Sequence, residues 1–202
     1  MTKNIILIGG APTTGKSTMA QKVSEHLGLP WISTDQIREI MREVASRDAL
    51  PKLFTPEGYD VERFLTEFSV EEIVSMEIEQ GEAVWSGVKK LINDDYTWTE
   101  GFIVEGVNIL PQLVAQDYKD SEYIKTIFLV DEDVGRIRDV VFNRGLADDA
   151  DKYSDDVKEK EVEWVLLFSQ MLKTEAGKHN YKCVEVKKQE EDLQAVLSAL
   201  NL

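Results

Sequence analysis

The sequence has little cysteine, little histidine and few basic residues. Each shortage excludes some functions for the protein. A single cysteine, Cys183, cannot form an internal disulfide, which fits a reducing compartment such as the cytoplasm. His26 and His179 stand alone, without the spacing of a metal site. Only 23 basic residues face 38 acidic ones, and the net charge of −15 repels nucleic acid and anionic membranes. We therefore expect neither of these as a partner.

Long apolar runs are also missing. No stretch approaches the roughly 18 apolar residues of a membrane span, and the run at residues 5–8 is too short for the core of a signal sequence. A length of 202 residues with 43% hydrophobic and 30% charged residues is typical of a single soluble domain. We predict one domain over residues 1–202, located in the cytoplasm as a monomer or homodimer.

A glycine-rich motif follows that first apolar run directly. Residues 10–17 read Gly-x-x-x-x-Gly-Lys-Ser, and a helical apolar pattern comes next. Strand, loop and helix in this order indicate a phosphate-binding loop, or P-loop, and disfavour an ordinary glycine turn. Lys16 would contact the β- and γ-phosphates and the Ser17 hydroxyl would ligate Mg²⁺. We predict ATP and Mg²⁺ as cofactors, with ATP bound by Gly10, Ala11, Pro12, Thr13, Thr14, Gly15, Lys16, Ser17 and Thr18.

Apolar strand patterns alternate with helical patterns along the whole chain. This alternation predicts an α/β fold with three layers, in which a five-stranded parallel sheet lies between helices. The predicted strands are 5–8, 31–33, 102–104, 126–130 and 181–186. Predicted helices follow the P-loop and Ser33 and then cover about 60–93 (with a division at Gly81), 112–118, 133–143, 157–176 (ending at Gly177) and 192–200.

Charged residues follow the predicted strands, at the edge where parallel sheets bind ligands. Asp35 could accept a proton from an acceptor hydroxyl or hold a water on the metal, and its alternative role is a helix cap. Arg38 and Arg42 are four residues apart on one helical face and could clamp an anionic acceptor. Their alternative is a surface ion-pair ladder with Glu39 and Glu43.

Two acidic sites are candidates for the carboxylate that lies beside the metal. Glu105 ends the third predicted strand, as the carboxylate beside the metal of a P-loop protein should. Asp131-Glu132 follows the fourth strand, and if the metal lay there Glu132 could polarise water and the protein would be an ATPase. We prefer Asp131 as a helix cap, because it leads directly into a helical pattern.

Three arginines flank an acidic segment at about 144–157 that is predicted to be a lid. Arg136, Arg138 and Arg144 cannot share one helical face, and we predict that Arg144 and Arg138 act on the phosphates while Arg136 is solvated. Trp164 lies at helical spacing with other apolar residues and is predicted to be core. The predicted catalytic residues are Lys16, Asp35, Arg138 and Arg144, the substrate-binding residues Asp35, Arg38, Arg42 and Glu105, and the metal ligands Ser17 and Glu105.

The order of elements resembles the small P-loop kinases built like adenylate and shikimate kinase. Within that group, Ser-Thr-Asp-Gln-Ile-Arg-Glu-Ile-Met-Arg at 33–42 and Ile-Val-Glu-Gly-Val-Asn-Ile-Leu-Pro at 103–111 resemble the 2-phosphoglycerate kinase family. The likeness covers about residues 4–115, although Asn108 stands where a histidine is expected.

The resemblance implies ATP- and Mg²⁺-dependent phosphate transfer to a small anionic metabolite, a 2-phosphoglycerate-like acid first. A helical insertion at about 46–95 would bind this acceptor. Two alternatives stay open: a P-loop ATPase or switch acting on a protein partner, and a kinase toxin acting on a sugar nucleotide. A GTPase is disfavoured, because the sequence has no Asp-x-x-Gly and no Asn-Lys pair.

Overall fold

Five parallel strands form the centre of the computed structural model, which describes residues 3–56, 58–94, 96–145, 151–187 and 189–202. The order of strands across the sheet is β2-β3-β1-β4-β5, and every pairing is parallel. The predicted three-layer α/β fold is confirmed. The strands are β1 (Asn4–Gly10), β2 (Trp31–Ser33), β3 (Gly101–Gly106), β4 (Ile124–Val130) and β5 (Lys182–Glu185).

Helices connect the strands and cover both faces of the sheet. None of those in the described part of the chain is long and apolar enough to cross a membrane. A short 3₁₀ turn at Pro51–Phe54 lies inside the segment predicted to be a loop. The helices are α1 (Lys16–Leu27), α2 (Thr34–Val44), α3 (Val61–Glu67), α4 (Val70–Asp94), α5 (Pro111–Tyr118), α6 (Val134–Arg144), α7 (Asp155–Lys178) and α8 (Gln189–Ala199).

Alternate side chains of each strand enter two separate cores. Ile6 and Ile8 of β1 pack in a cluster with residues of α1 and α8, whereas Ile5 and Leu7 belong to a larger cluster built from α2 to α7. This period of two follows from the strand pleat and explains why buried parallel strands are apolar throughout. Among the described helices, α2 to α7 contribute to the larger cluster and cover one face of the sheet, whereas α1 and α8 cover the other.

The position of β1 fixes where a ligand can bind. β1 lies between β3 and β4, because the chain crosses from β1 to β2 before it returns to β3. Segments that leave neighbouring strands in opposite directions open a crevice at the carboxyl ends of those strands. The P-loop follows β1 and therefore opens into this crevice.

The long helical region predicted at 60–93 is divided, but not at Gly81. α3 ends at Glu67, and α4 begins at Val70. The signal is a capping box: the backbone N–H of Ser69 donates to Glu72 (2.7 Å), and the backbone N–H of Glu72 donates to Ser69 Oγ (3.2 Å). Gly81 lies buried within α4, where an added Cβ would meet Leu110 Cδ1 at 2.7 Å.

Two further boundaries differ from the predictions. Gly177 lies inside α7. The helix ends at Lys178, His179 is its C-cap, and Asn180 follows with a left-handed φ of 61°. The predicted lid at 144–157 lies partly outside the described residues. Within it, Gly145 ends α6, residues 151–154 form a turn, and Asp155 begins α7.

Candidate active site

A cavity of about 600 Å³ opens at the carboxyl ends of β1, β2 and β3. The P-loop forms one wall, and α2, α4 and the start of α3 form the opposite side. Most of the predicted site residues meet here, although they come from distant parts of the chain. The predicted residues that line it include Lys16, Ser17, Asp35, Arg38, Arg42, Glu105 and Arg144.

The P-loop wraps around the Lys16 side chain. Gly15 has a left-handed φ of 74° and serves as the N-cap of α1, so the first backbone N–H groups of this helix face the cavity. Lys16 Nζ and Thr14 Oγ1 both donate to the carbonyl oxygen of Ala11 at 2.7 Å. Burial lowers the pKa of Lys16 to about 8, and the charges of Glu105 and Asp35 oppose this shift.

Ser17 and Glu105 face each other across the base of the cavity. Ser17 Oγ donates to Glu105 Oε1 at 3.1 Å, and Glu105 is 1% exposed. Burial raises the pKa of Glu105, while Lys16 and the hydroxyls of Ser33 and Ser17 act against that rise. A hydroxyl and a carboxylate are oxygen ligands of the kind that Mg²⁺ takes, so this pair fits the ion or its bound water.

The structure places no larger metal cluster near this pair. Among the residues that it describes, no three His, Cys, Asp or Glu side chains are grouped as they are around a protein-held metal. Magnesium bound with a nucleotide keeps water and phosphate ligands and needs only one or two from the protein. The Ser17–Glu105 pair therefore supplies the one or two protein ligands that a nucleotide-bound Mg²⁺ needs.

Gly106 lets the end of β3 touch the start of α2. Its φ is 150°, and an added Cβ would lie 1.8 Å from Thr34 Oγ1. β2 and β3 are also in register here, with Ser33 opposite Glu105. These close contacts bring Asp35 and Glu105 into the same cavity.

Asp35 is not the cap of α2. Ser33 is the N-cap, and it makes a full capping box with Gln36. The Asp35 carboxylate instead pairs with Arg38, with 2.9 Å between Oδ1 and Nη1, and keeps 59% of its side chain exposed. The carboxylate is therefore accessible from the cavity.

Arg38 is held from both sides. Nη1 also donates to Gln80 Oε1 at 3.0 Å, and Gln80, which is 2% exposed, donates its amide N–H to the carbonyl oxygen of Thr55. Gln80 belongs to α4, so one side chain ties α2 to the segment before α3. Gln80 was not identified as a site residue from the sequence.

Arg42 lies one turn after Arg38 on the same face of α2. Its Nε donates to the carbonyl oxygen of Leu53 at 2.8 Å, and its Nη1 pairs with Glu39 at 2.9 Å. Arg38 Nε also contacts Glu39, at 3.1 Å. Part of the predicted ion-pair ladder is thus present, while both arginines still line the cavity.

The predictions for Asp131 and Arg136 were wrong. Asp133, not Asp131, is the N-cap of α6, and it accepts from the backbone N–H groups of Gly135 and Arg136. Asp131 is 3% exposed and binds the Arg136 guanidinium through both oxygens, at 2.6 and 2.7 Å. Arg136 is therefore not a solvated residue, because a buried carboxylate requires a partner of this kind.

The other two predicted lid arginines lie in different places. Arg144 lines the cavity at the end of α6, and its Nε donates to the carbonyl oxygen of Gly145 at 3.2 Å. Arg138 pairs with Glu159 of α7 and lies over the Phe142 ring, and it is not among the described residues that line the cavity. The structure thus brings Arg144, but not Arg138, to the other site residues.

A smaller cavity of about 180 Å³ lies on the other side of the P-loop. It shares Thr13, Gly15 and Thr18 with the large cavity. Its remaining walls combine apolar side chains with the Asp131–Arg136 pair. They are Thr14, Met19, Lys22, Asp131, Arg136, Val140, Val186, Lys187 and Asp192.

Several lining residues were missed by sequence reasoning. Glu77 of α4 faces the cavity, and burial raises its pKa to about 7, opposed mainly by the charge of Arg38. Trp164 is 2% exposed, as a core residue should be, yet it also lines the cavity. The sequence did contain a signal for this wall, because Glu77 and Gln80 are polar residues on an otherwise apolar stripe of α4. Tyr59 and Phe64 complete this wall.

The chain is similar in sequence to proteins named 2-phosphoglycerate kinase. It is 34% identical to one from Methanocaldococcus jannaschii over 126 residues, which are 62% of this chain and 40% of the relative. It is also 34% identical to one from Methanothermobacter thermautotrophicus over 139 residues, 66% of this chain and 45% of the relative. The aligned region therefore spans less than half of each relative. No family model matches the chain.

Solved structures with the same fold include shikimate kinases. One from Bacteroides thetaiotaomicron superimposes with a TM-score of 0.56 at 14% identity, covering 98% of this chain and 99% of the other. One from Aquifex aeolicus gives 0.53 at 18% identity, covering 98% of this chain and 96% of the other. At such identities the likeness shows the fold. The predicted resemblance is confirmed: the chain has the shikimate-kinase-like P-loop fold and is similar to the 2-phosphoglycerate kinases over about three-fifths of its length.

Proposed function

We propose that the protein is an ATP- and Mg²⁺-dependent phosphotransferase that moves the γ-phosphate of ATP to a hydroxyl of a small anionic molecule. The observation that carries the proposal is a single cavity with two chemically different sides. Lys16, Ser17 and Glu105 form a donor side, and the Asp35–Arg38 pair lies on the acceptor side. A P-loop that only bound or hydrolysed nucleotide would not need the second side.

On the donor side, the P-loop N–H groups and Lys16 bind the phosphates, and Arg144 adds positive charge from the end of α6. Ser17 and Glu105 would hold Mg²⁺, and the ion would neutralise phosphate charge. The smaller cavity takes the base of the nucleotide, because it adjoins the same loop and combines apolar walls with paired polar groups.

On the acceptor side, Arg38 and Arg42 bind the anionic group of the acceptor, and Asp35 accepts the proton of the reacting hydroxyl. The hydroxyl oxygen forms a bond to the γ-phosphorus, the bond from that phosphorus to the β-phosphate oxygen breaks, and ADP leaves. A 2-phosphoglycerate-like acid is the first acceptor to test, since the relatives named above carry that name.

The ATPase alternative has less support. Asp131 is paired with Arg136, and Glu132 is paired with Lys173, so both acidic residues of the rival site already have a cation. Neither of them is among the described residues that line the large cavity. Glu105 is the carboxylate that adjoins Ser17.

A coupled assay for ADP release tests the proposal across phosphorylated acids, sugars, nucleosides and nucleotides. We expect slow ATP consumption by the protein alone and rapid consumption with one class of acceptor, in a manner that requires Mg²⁺ and Lys16. Fast hydrolysis without any acceptor, lost in Glu132→Gln and retained in Glu105→Gln, would overturn the proposal.

A further inference from the structure

We propose that Glu77 and Trp164 bind the acceptor, and that the acceptor is a polyhydroxylated acid with at least one hydroxyl beyond the one that is phosphorylated. The inference rests on the proposed function and deepens it. It concerns the side of the cavity that lies opposite the P-loop, where sequence reasoning identified neither residue as part of the site.

Among the described residues, Glu77 is the cavity carboxylate without a partner. The three other carboxylates that line the cavity all have partners: Asp35 pairs with Arg38, Glu105 accepts from Ser17, and Asp60 accepts from the backbone of α3. Within the part of the chain that the structure describes, Glu77 has no hydrogen bond and no ion pair, although it is more than half buried. A buried carboxylate left in this state is costly unless a ligand supplies the hydrogen bonds.

The nearby cations do not supply those bonds. The charged groups facing Glu77 are Arg38 and Arg42 of α2, Asp35 of the same helix, and Lys16 of the P-loop. Arg38 directs its donors to Asp35, Glu39 and Gln80, and Arg42 directs its donors to Glu39 and the Leu53 carbonyl. Glu77 therefore adjoins the two arginines without being bound by either.

Trp164 of α7, the helix that packs against α4, adds an unused donor to the cavity. Its side chain is 2% exposed and lines the cavity, yet Nε1 has no hydrogen-bond partner in the described structure. The other buried tryptophan, Trp85, shows the usual arrangement, because its Nε1 donates to Asp117 at 2.7 Å. An indole N–H is only a donor, so its missing partner must be an acceptor oxygen.

The chemistry of this wall matches a hydroxylated carbon chain. A carboxylate only accepts hydrogen bonds and an indole only donates, whereas a hydroxyl group does both. Tyr59 and Phe64 present aromatic surface beside them, which suits the C–H edges of a sugar-like skeleton. Above its pKa of about 7 Glu77 is charged and repels a carboxylate or phosphate oxygen of the acceptor, so the acceptor comparison is made at about pH 8.

Charge and hydroxyl groups thus have separate places in the cavity. The acid group of the acceptor faces Arg38 and Arg42, and the reacting hydroxyl faces Asp35. Further hydroxyls face Glu77 and Trp164. A three-carbon phospho-acid such as 2-phosphoglycerate has a single hydroxyl, which is the one phosphorylated, and would leave Glu77 unused.

The test compares acceptors under saturating MgATP. 2-Phosphoglycerate, glycerate and gluconate are assayed as acids with one, two and five hydroxyls. We expect kcat/KM to be at least roughly tenfold higher for gluconate than for 2-phosphoglycerate, since one hydrogen bond to a charged group is worth about that factor or more. Glu77→Gln and Trp164→Phe should each raise the KM for gluconate roughly tenfold or more and change the KM for ATP less than about twofold.

Glu79→Gln is the matched control for Glu77→Gln. Glu79 lies on the same helix, but its carboxylate is 50% exposed and faces Lys52 at 3.7 Å. This variant removes the same charge and should leave every KM unchanged. Thermal unfolding of all variants, with and without ATP, shows whether a substitution has damaged the fold. If Trp164→Phe is destabilised, the kinetics of Glu77→Gln alone decide whether the inference holds.

Failure of this inference can be distinguished from failure of the proposed function. If 2-phosphoglycerate is used at least as well as the polyhydroxy acids and Glu77→Gln leaves its KM unchanged, the inference is overturned while the proposed function stands. If none of the three acids increases ADP release but another acceptor of the wider screen does, the inference alone is overturned. If ATP binds and no acceptor of that screen increases ADP release above that of the protein alone, the proposed function is overturned together with the inference.

Discussion

Ser17 and Glu105 are 88 residues apart in the chain, and their side chains meet in a hydrogen bond of 3.1 Å. Ser17 lies in the first turn of α1, and Glu105 lies near the end of β3. The bond exists because β1 and β3 are neighbours, with Ile8 opposite Glu105 in their register. This adjacency combines a hydroxyl and a carboxylate that no local motif could place together.

Glu105→Gln should weaken the use of Mg²⁺. The amide keeps the shape and the hydrogen bond to Ser17 but removes the charge facing the metal. We expect a loss of roughly 10- to 100-fold in turnover and a higher Mg²⁺ concentration for half-maximal activity. Glu132→Gln is the control, because Glu132 pairs with Lys173 outside the cavity. Equal effects of the two substitutions on the Mg²⁺ titration would contradict this prediction.

Asp35→Asn should abolish transfer while ATP still binds. The amide cannot accept the proton of the acceptor hydroxyl, and we expect a loss of roughly 10²- to 10⁴-fold in kcat. Isothermal titration should give a Kd for ATP within about twofold of the original. Glu39→Gln is the control, because it removes a neighbouring carboxylate of α2 that also contacts Arg38. If Asp35→Asn retained full activity, Asp35 would be only an ion-pair partner of Arg38.

The charge of Lys16 predicts a pH limit for nucleotide binding. Burial lowers its pKa to about 8 from an ordinary 10.5, so the ammonium group is present below pH 8 and is lost as the pH rises through that value. The affinity of the protein for ATP should therefore fall as the pH rises above 8. Titrations of Lys16→Arg check this origin, since arginine stays charged across that range and should remove the dependence.

The folding stability of the protein should rise with pH where its affinity for ATP falls. Between pH 8 and 10.5 the unfolded chain binds a proton at Lys16 that the folded protein does not, so raising the pH favours the folded state. Urea denaturation at several pH values, compared between the original protein and Lys16→Met, isolates this contribution. A Lys16 contribution that destabilises the protein as the pH rises would contradict the prediction.

Gln80→Met should weaken acceptor binding without affecting ATP. The substitution removes the oxygen that accepts from Arg38 and the N–H that donates to Thr55, while it keeps a similar volume. Arg38 would then be held by acidic residues alone. We expect the KM for the acceptor to rise about 3- to 10-fold and the KM for ATP to stay constant. A matching rise in both constants would indicate general damage to the cavity.

Gly106→Ala should destabilise the fold. The substituted residue would combine a φ of 150° with a Cβ 1.8 Å from Thr34 Oγ1. We expect a loss of about 2–4 kcal/mol in the free energy of unfolding. Gly177→Ala is the contrasting control, because no atom lies within 4 Å of its added Cβ in α7. That substitution should stabilise by about 0.5–1 kcal/mol in urea denaturation.

The sequence was most informative where interactions are local. Apolar runs predicted the strands because parallel strands are buried on both faces, and the P-loop motif predicted Lys16 and Ser17 because the loop makes its own site. Arg38 and Gln80 are 42 residues apart, and their contact depends on how α4 lies against α2. The choice between Asp131 and Asp133 likewise depends on a buried partner, although the Ser69 capping box was legible in the sequence.

Gly81 has a consequence for how the acceptor site can change. Because it carries no side chain, α4 lies directly against Leu110 in the segment that follows β3. Gln80 directly precedes Gly81 and Glu77 lies one turn before it, so this contact sets the position of both side chains in the cavity. A variant that accepts longer or shorter molecules is more readily obtained at Tyr59, which is 37% exposed, than at Phe64, whose side chain belongs to the core.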